Sequence, residues 1–157
     1  MSAENGDRQT LSQRRASFAL EQVKSIRGQE YDGEVRSYAA SLPAMIQMNG
    51  FGQALAFCRS KRGQGKSDRA YQALYDLVSE WLIKEGQPYA GKDHALAGVT
   101  SESMSAYRLA QTEALALLEW VKRFASAYIE KKPGNGGDDA AAAGDSPANQ
   151  RREPSRP

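Results

Sequence analysis

The sequence predicts an all-α fold, and three observations carry that prediction. Apolar residues recur at alternating spacings of three and four through most of the chain, the spacing that lines one face of a helix. Glycine, proline and capping residues punctuate those segments, and no stretch shows the alternation of a half-buried strand. The expected architecture is a compact single-domain bundle of about five to six helices, with a long C-terminal helix and disordered tails. One domain suits a chain of 157 residues. Its expected boundaries are an N-terminal tail over 1–9, the helical domain over 10–132 and a low-complexity tail over 133–157, rich in Gly, Ala, Pro and charge.

The elements follow in order. Thr10 with Gln13 three residues on is a capping-box pattern, and Leu11, Phe18, Ala19, Val23 and Ile26 then share one side of a first helix that stops at Gly28. Its other side carries Arg14, Ser17, Glu21 and Lys24, the pattern of a solvated face. Asp32 is positioned to cap a short helix through Val35, Tyr38, Ala39 and Leu42. Pro43, with no amide to donate, should kink or restart the chain before a third short helix toward Met48. Asn49-Gly50 is a stop signal, and a helix from Phe51 to about Lys61 follows.

Arg62 to Lys66 is a glycine loop. Ser67 and Asp68 suit the start of a helix whose apolar stripe is Tyr71, Leu74, Val78, Trp81 and Leu82, ending near Gly86. Gln87 to Gly91 reads as a connector, and Asp93 as the cap of one short turn through Leu96. Ser101 or Ser103 opens the final helix, whose stripe is Tyr107, Ala110, Ala114, Leu117, Val121, Phe124 and Tyr128.

Composition excludes several classes of function. No run reaches the roughly 18 to 20 apolar residues of a membrane span, and no signal peptide is visible, so the sequence predicts a cytoplasmic protein without a membrane partner. Cys58 is the single cysteine and lies in an apolar helical stretch, as a packed thiol would. His94 is the only histidine, and with no second sulfur or nitrogen donor at ligand spacing no metal site of those donors is expected. Gly65-Lys66-Ser67 ends like a phosphate-binding loop, but Ser60 stands where that loop needs its first glycine, and a helix rather than a strand leads in. Glu119 and Arg123, four apart, are a helix-stabilising pair. The expectation is a protein that is not an enzyme and has no catalytic residue and no cofactor.

Charge points instead to an anionic partner. Residues 8–132 hold 18 Lys or Arg against 13 Asp or Glu, a net +5 compared with +2 for the whole chain. Arg59, Lys61, Arg62, Lys66 and Arg69 cluster with Asp68 as their only acid, and a glycine loop would let such side chains follow a phosphate backbone. On the final helix Arg108 and Lys122 share one row 14 residues apart, about 21 Å, with Arg123 beside Lys122. Leu115 lies between them on that row and Leu109 adjoins Arg108, which suggests a protein contact on part of that face. Trp81 and Trp120 read as core anchors.

Several segments together resemble a known family. They are Leu42-Pro-Ala-Met-Ile46, Asn49-Gly-Phe-Gly-Gln-Ala-Leu-Ala-Phe57 with Lys61, Trp81-Leu82, Tyr107-Arg108 with Glu113-Ala-Leu, and Trp120-Val-Lys-Arg-Phe-Ala125. In that order, over roughly Leu11 to Ile129, the chain is similar to the small helical subunit of the type III-B CRISPR effector, the Cmr complex. The resemblance implies a non-catalytic protein of antiviral defence that stacks in several copies beside the RNA-binding backbone subunits and contacts the large polymerase-like subunit. It also implies a basic surface turned toward CRISPR guide RNA and target RNA. Lys61, Arg108, Lys122 and Arg123 lie within the matched segments and lead the nucleic-acid candidates, followed by Arg59, Arg62 and Lys66. Leu109 and Leu115 are the candidates for protein contact. The competing readings are a helical adaptor that binds only protein, and a helix-turn-helix DNA regulator. Against the regulator, the segment after Asn49-Gly50 is too apolar to read base edges.

Overall fold

A computed structural model describes residues 8–131; both expected tails lie almost wholly outside them. Six helices account for the described chain: α1 Leu11–Ile26, α2 Asp32–Asn49, α3 Phe51–Ser60, α4 Lys66–Leu82, α5 Ala95–Ser101 and α6 Met104–Tyr128. No strand occurs among the described residues.

α6 is the central element, with α1, α2 and α4 packed along it. Two contacts fix the direction of α1: Arg15 meets Glu113, and Lys24 stands over the Tyr128 ring, so α1 runs parallel to α6. α2 runs the other way, because Arg36 near its start reaches Ser126 while the α2–α3 junction sits at Tyr107. Ala110, Ala114, Leu117, Leu118, Val121 and Ala125 of α6 are buried against Val23 and Ile26 of α1 and Leu42 and Ile46 of α2 in one continuous core. Cys58 is buried in it as well.

Helix starts follow local hydrogen bonding. Thr10 and Gln13 form the full capping box at 3.1 and 2.7 Å. Ser103, not Ser101, caps α6, its hydroxyl accepting from the Ala106 amide. Three expected starts differ. Asp32 is not the cap of α2; Tyr31 holds that position, and the Asp32 carboxylate turns back to accept from the Gly28 amide. Ser67 does not cap α4, which begins one residue earlier after Gly65; the Ser67 hydroxyl bonds the Tyr38 hydroxyl at 2.9 Å. His94, not Asp93, caps α5, Nδ1 accepting from the Ala97 amide, and that helix extends to Ser101 rather than Leu96.

The largest departure is at Pro43, which neither breaks nor restarts the chain, so the two short helices expected there are one helix of 18 residues. Pro43 removes one backbone bond. Val35, Ala39, Leu42 and Ile46, at spacings of four and three on either side of it, are all buried, and their burial offsets that loss. α4 ends at Leu82 rather than near Gly86, where the Tyr89 amide returns to the Leu82 carbonyl. The connector after it therefore does more than link: Tyr89 is 1% exposed, its ring pressed against Gly98 of α5.

Candidate nucleic-acid interface

The basic residues near the glycine loop are held by a rigid local framework. The Gln72 side-chain amide donates to the carbonyls of Lys61 and Gly63, and the Asp68 carboxylate accepts from the Gly63 amide, so the first half of the loop between α3 and α4 is tied back to α4. Below it the Tyr38 and Tyr71 rings stack with centroids 4.2 Å apart, and Phe57 meets Tyr71 edge-on at 5.2 Å. Lys61 Nζ stands 4.8 Å over the Phe57 ring, and the Arg69 guanidinium 4.6 Å over Tyr31. Lys61 and Phe57 are four residues apart at the end of α3, but nothing in the sequence spacing signals the contacts among Tyr38, Phe57 and Tyr71, which sit on three different helices.

The four loop-side candidates differ in what local structure explains. Arg59 lies in the last turn of α3 and Lys61 directly after it, where a cation complements the helix dipole. Asp76 faces Arg59: partial burial raises its carboxyl above the ordinary range, Arg59 draws it down and Glu80 pushes it up again. Lys66 has no such account. It is the first residue of α4, at the positive end of the dipole, with Arg62 exposed four residues before it. Among the described residues Lys61, Arg62, Lys66, Arg108 and Lys122 belong to no ion pair.

The other stations are separate. Arg108 is exposed beside Tyr107, whose hydroxyl accepts from the Gly52 amide at 2.9 Å, which places it at the start of α3 while Lys61 follows its end. Lys122 and Arg123 are exposed toward the far end of the unbroken α6, about 21 Å from Arg108 by helix rise. Glu119 lies 4.0 Å from Arg123, and both are well exposed, so this pair contributes little. No hydrogen bond or ion pair among the described residues joins the loop cluster to α6.

Of the two leucines, Leu109 is 62% exposed, whereas Leu115 is half-buried and packs on the core. Leu115 therefore departs from the outward placement expected of it, because α6 is covered by other helices on several sides. Trp81 is buried and Trp120 half-buried, stacked on Phe124.

One ion pair is not signalled by the sequence: Glu113 appears there only within a segment of the resemblance, and its partner Arg15 lies 98 positions away. The Glu113 carboxylate accepts from Arg15 Nε and Nη2, at 2.6 and 2.8 Å, and from the Trp81 indole N–H at 2.9 Å. Burial pushes the Glu113 carboxyl up, but the hydrogen bonds from Arg15 and Trp81 outweigh it and hold the group below the ordinary range. This network ties α1, α4 and α6 together. Among the described residues no group of three or more His, Cys, Asp or Glu could hold a metal ion, and no helix is long and apolar enough to cross a membrane.

Known proteins share this arrangement of helices. The family described as CRISPR-associated protein (Cas_Cmr5) matches residues 11–128, from the first residue of α1 to the last of α6. The CRISPR system Cmr subunit Cmr5 of Thermus thermophilus is 36% identical over 122 residues, which cover 78% of this chain and 98% of that one. A solved crystal structure of a CRISPR-associated Cmr5 family protein from the same organism superposes with a TM-score of 0.64 at 32% identity, covering 78% of this chain and all of the other. The match spans all six helices, and the segments that carry the resemblance include the junctions that build them, Asn49-Gly50 and Tyr107 among them: the chain belongs to the Cmr5 family of CRISPR-associated proteins.

Proposed function

We propose that this protein is the small, non-catalytic subunit of a type III-B CRISPR effector, stacked in several copies along the guide and target RNA and contacting the backbone and large subunits. The observation that carries the RNA contact is the group of unpaired cations around the α3–α4 loop, above all Lys66 at the end of α4 where helix electrostatics disfavour it. An exposed cation with no ion-pair partner among the described residues is available to an anionic ligand. Arg108, Lys122 and Arg123 extend the basic surface along α6, and stations about 21 Å apart span several phosphates. Such contacts hold an RNA strand without reading its sequence. The protein works in the cytoplasm, where its RNA is.

A second reading, an adaptor that binds only protein, is favoured by the exposure of Met104 and Leu109 on α6, at 67% and 62%. The two are separated by purifying the full chain from its host at low salt, identifying co-eluting proteins and sequencing bound RNA. Under our reading, repeat-derived guide RNA co-elutes. Reversing Lys61, Lys122 and Arg123 to Glu then weakens RNA association and lowers the salt slope by about 2, with helicity unchanged. Unaltered RNA retention in that variant removes the basic-surface assignment. A protein partner without RNA favours the adaptor.

A further inference from the structure

We propose that the groove between the end of α2 and α3 is a pocket for one unpaired base of a bound RNA strand. The base stacks on Phe57, its polar edge meets the side-chain amides of Asn49 and Gln53, and its phosphate meets Lys61. The proposal rests on the RNA-binding reading above and adds a site to it. The groove has a volume of about 420 Å³ and is lined by Met45, Asn49, Gln53, Ala54 and Phe57. That lies within the roughly 300–1,000 Å³ of clefts that hold small ligands.

Asn49, Gln53 and Phe57 fall at four-residue steps across Gly50, where a positive φ of 92° turns α2 directly into α3 and sets the three on one wall. Packing does not explain them. Asn49 caps neither helix, since Gly50 is the terminal residue of both. The Asn49 and Gln53 amides are exposed, and neither makes a hydrogen bond among the described residues. Each amide offers donors and an acceptor to the matching edge of a base.

Phe57 is 38% exposed, an unusual state for a large ring in a helix that otherwise buries Phe51, Ala54, Leu55 and Cys58. Tyr71 meets it nearly at right angles, with centroids 5.2 Å apart. The Lys61 ammonium stands over the ring, 4.8 Å from its centroid, and Phe57 itself lines the groove. A phosphate draws that ammonium off the ring and leaves the face to the base, while Met45 and Ala54 supply the apolar floor. Arg59 and Arg62 flank Lys61 along the chain at the end of α3, and that positive charge close to Phe57 in sequence suits an anionic nucleotide better than an apolar peptide.

The test uses the full chain and a single-stranded RNA of about 12 nucleotides with one 2-aminopurine, and a matched RNA with one 4-thiouridine for photocrosslinking. The wild-type protein is expected to quench the aminopurine and to crosslink through the peptide spanning Met45 to Phe57. Phe57→Leu should weaken binding about five- to tenfold with the salt slope unchanged, since stacking releases no counterions. Gln53 is exposed and makes no hydrogen bond within the described chain, so Gln53→Met tests the pocket without disturbing the fold; it should shift the preference among bases at the probe position. If RNA binds but crosslinks elsewhere, or both variants bind like wild type with normal helicity, the pocket is refuted and the basic-surface reading stands. If the wild-type chain binds no RNA, both fall. A partner-subunit peptide crosslinked into the groove of the assembled complex also overturns the proposal.

Discussion

Replacing Glu113 with alanine removes the acceptor of three hydrogen bonds at once. The Glu113 and Arg15 side chains retain only 10% and 19% of their exposure, so the variant leaves a guanidinium and the Trp81 indole N–H facing a site with no acceptor. Breaking a largely buried ion pair from one side costs about 3–5 kcal/mol, against a total stability on the order of 5–15 kcal/mol for a domain of this kind. At roughly 3–5 °C per kcal/mol for this size, the melting temperature falls by roughly 10–25 °C. The double variant Arg15→Met with Glu113→Leu leaves only the indole unsatisfied and should cost about 1–3 kcal/mol, well below the sum of Arg15→Met and Glu113→Leu made singly. Urea unfolding followed by far-UV circular dichroism measures all four corners of that cycle. The sign of the pH effect is fixed by the depressed Glu113 carboxyl. Its contribution is complete above the unfolded carboxyl value of about 4.3 and is lost as pH falls below that toward the folded value. The wild type should therefore lose more stability than Glu113→Gln on acidification below about pH 4.3. A Glu113→Ala cost under about 1 kcal/mol, or a coupling indistinguishable from zero, would refute the assignment of this network as the tie between α1, α4 and α6.

Other consequences are as direct. Gly98→Ala puts a methyl group into the Tyr89 ring and should cost about 1–3 kcal/mol, and Tyr89→Ala in the same chain should relieve much of that added penalty in a double-variant cycle. The Tyr89 hydroxyl is buried without a hydrogen-bond partner among the described residues, so Tyr89→Phe should not destabilise the chain and should gain up to about 1 kcal/mol by thermal unfolding. Tyr107→Phe deprives the Gly52 amide of its acceptor and should cost about 1–2 kcal/mol, read by urea denaturation. Burial pushes the Cys58 thiol up to about 11, so at pH 8 about one thiol in a thousand is ionised; a disulfide reagent should label it only as fast as the chain opens, with labelling accelerated by urea.

What the sequence made legible was whatever depends on neighbours along the chain. The Thr10–Gln13 box, the stop at Asn49-Gly50 and the stripe of α6 from Ala110 to Val121 are each decided within a few residues and stand in the structure, whereas Tyr128, expected to extend that stripe, is 39% exposed. Pro43 misled because its local penalty is real, while the burial of Leu42 and Ile46 that offsets it depends on α6, more than 60 residues away. The caps of α2, α4 and α5 were misplaced because a neighbouring carboxylate or hydroxyl found a better partner elsewhere, Asp32 at Gly28 and Ser67 at Tyr38, or because His94 took the place expected of Asp93. Charged residues were the hardest to sort, and the reason is physical. Arg15 and Glu113 each sit on an amphipathic helix and in sequence look like any solvated charge, yet 98 positions apart they form the most buried ion pair of the described chain. Lys61 and Lys66 look no different in composition, and what separates them is the absence of a partner together with where on a helix they stand. Position relative to a helix end separates basic residues that look alike in sequence: Arg59 and Lys61 complement the end of α3, whereas Lys66 stands at the positive end of α4, where Asp68 in the same turn offsets it.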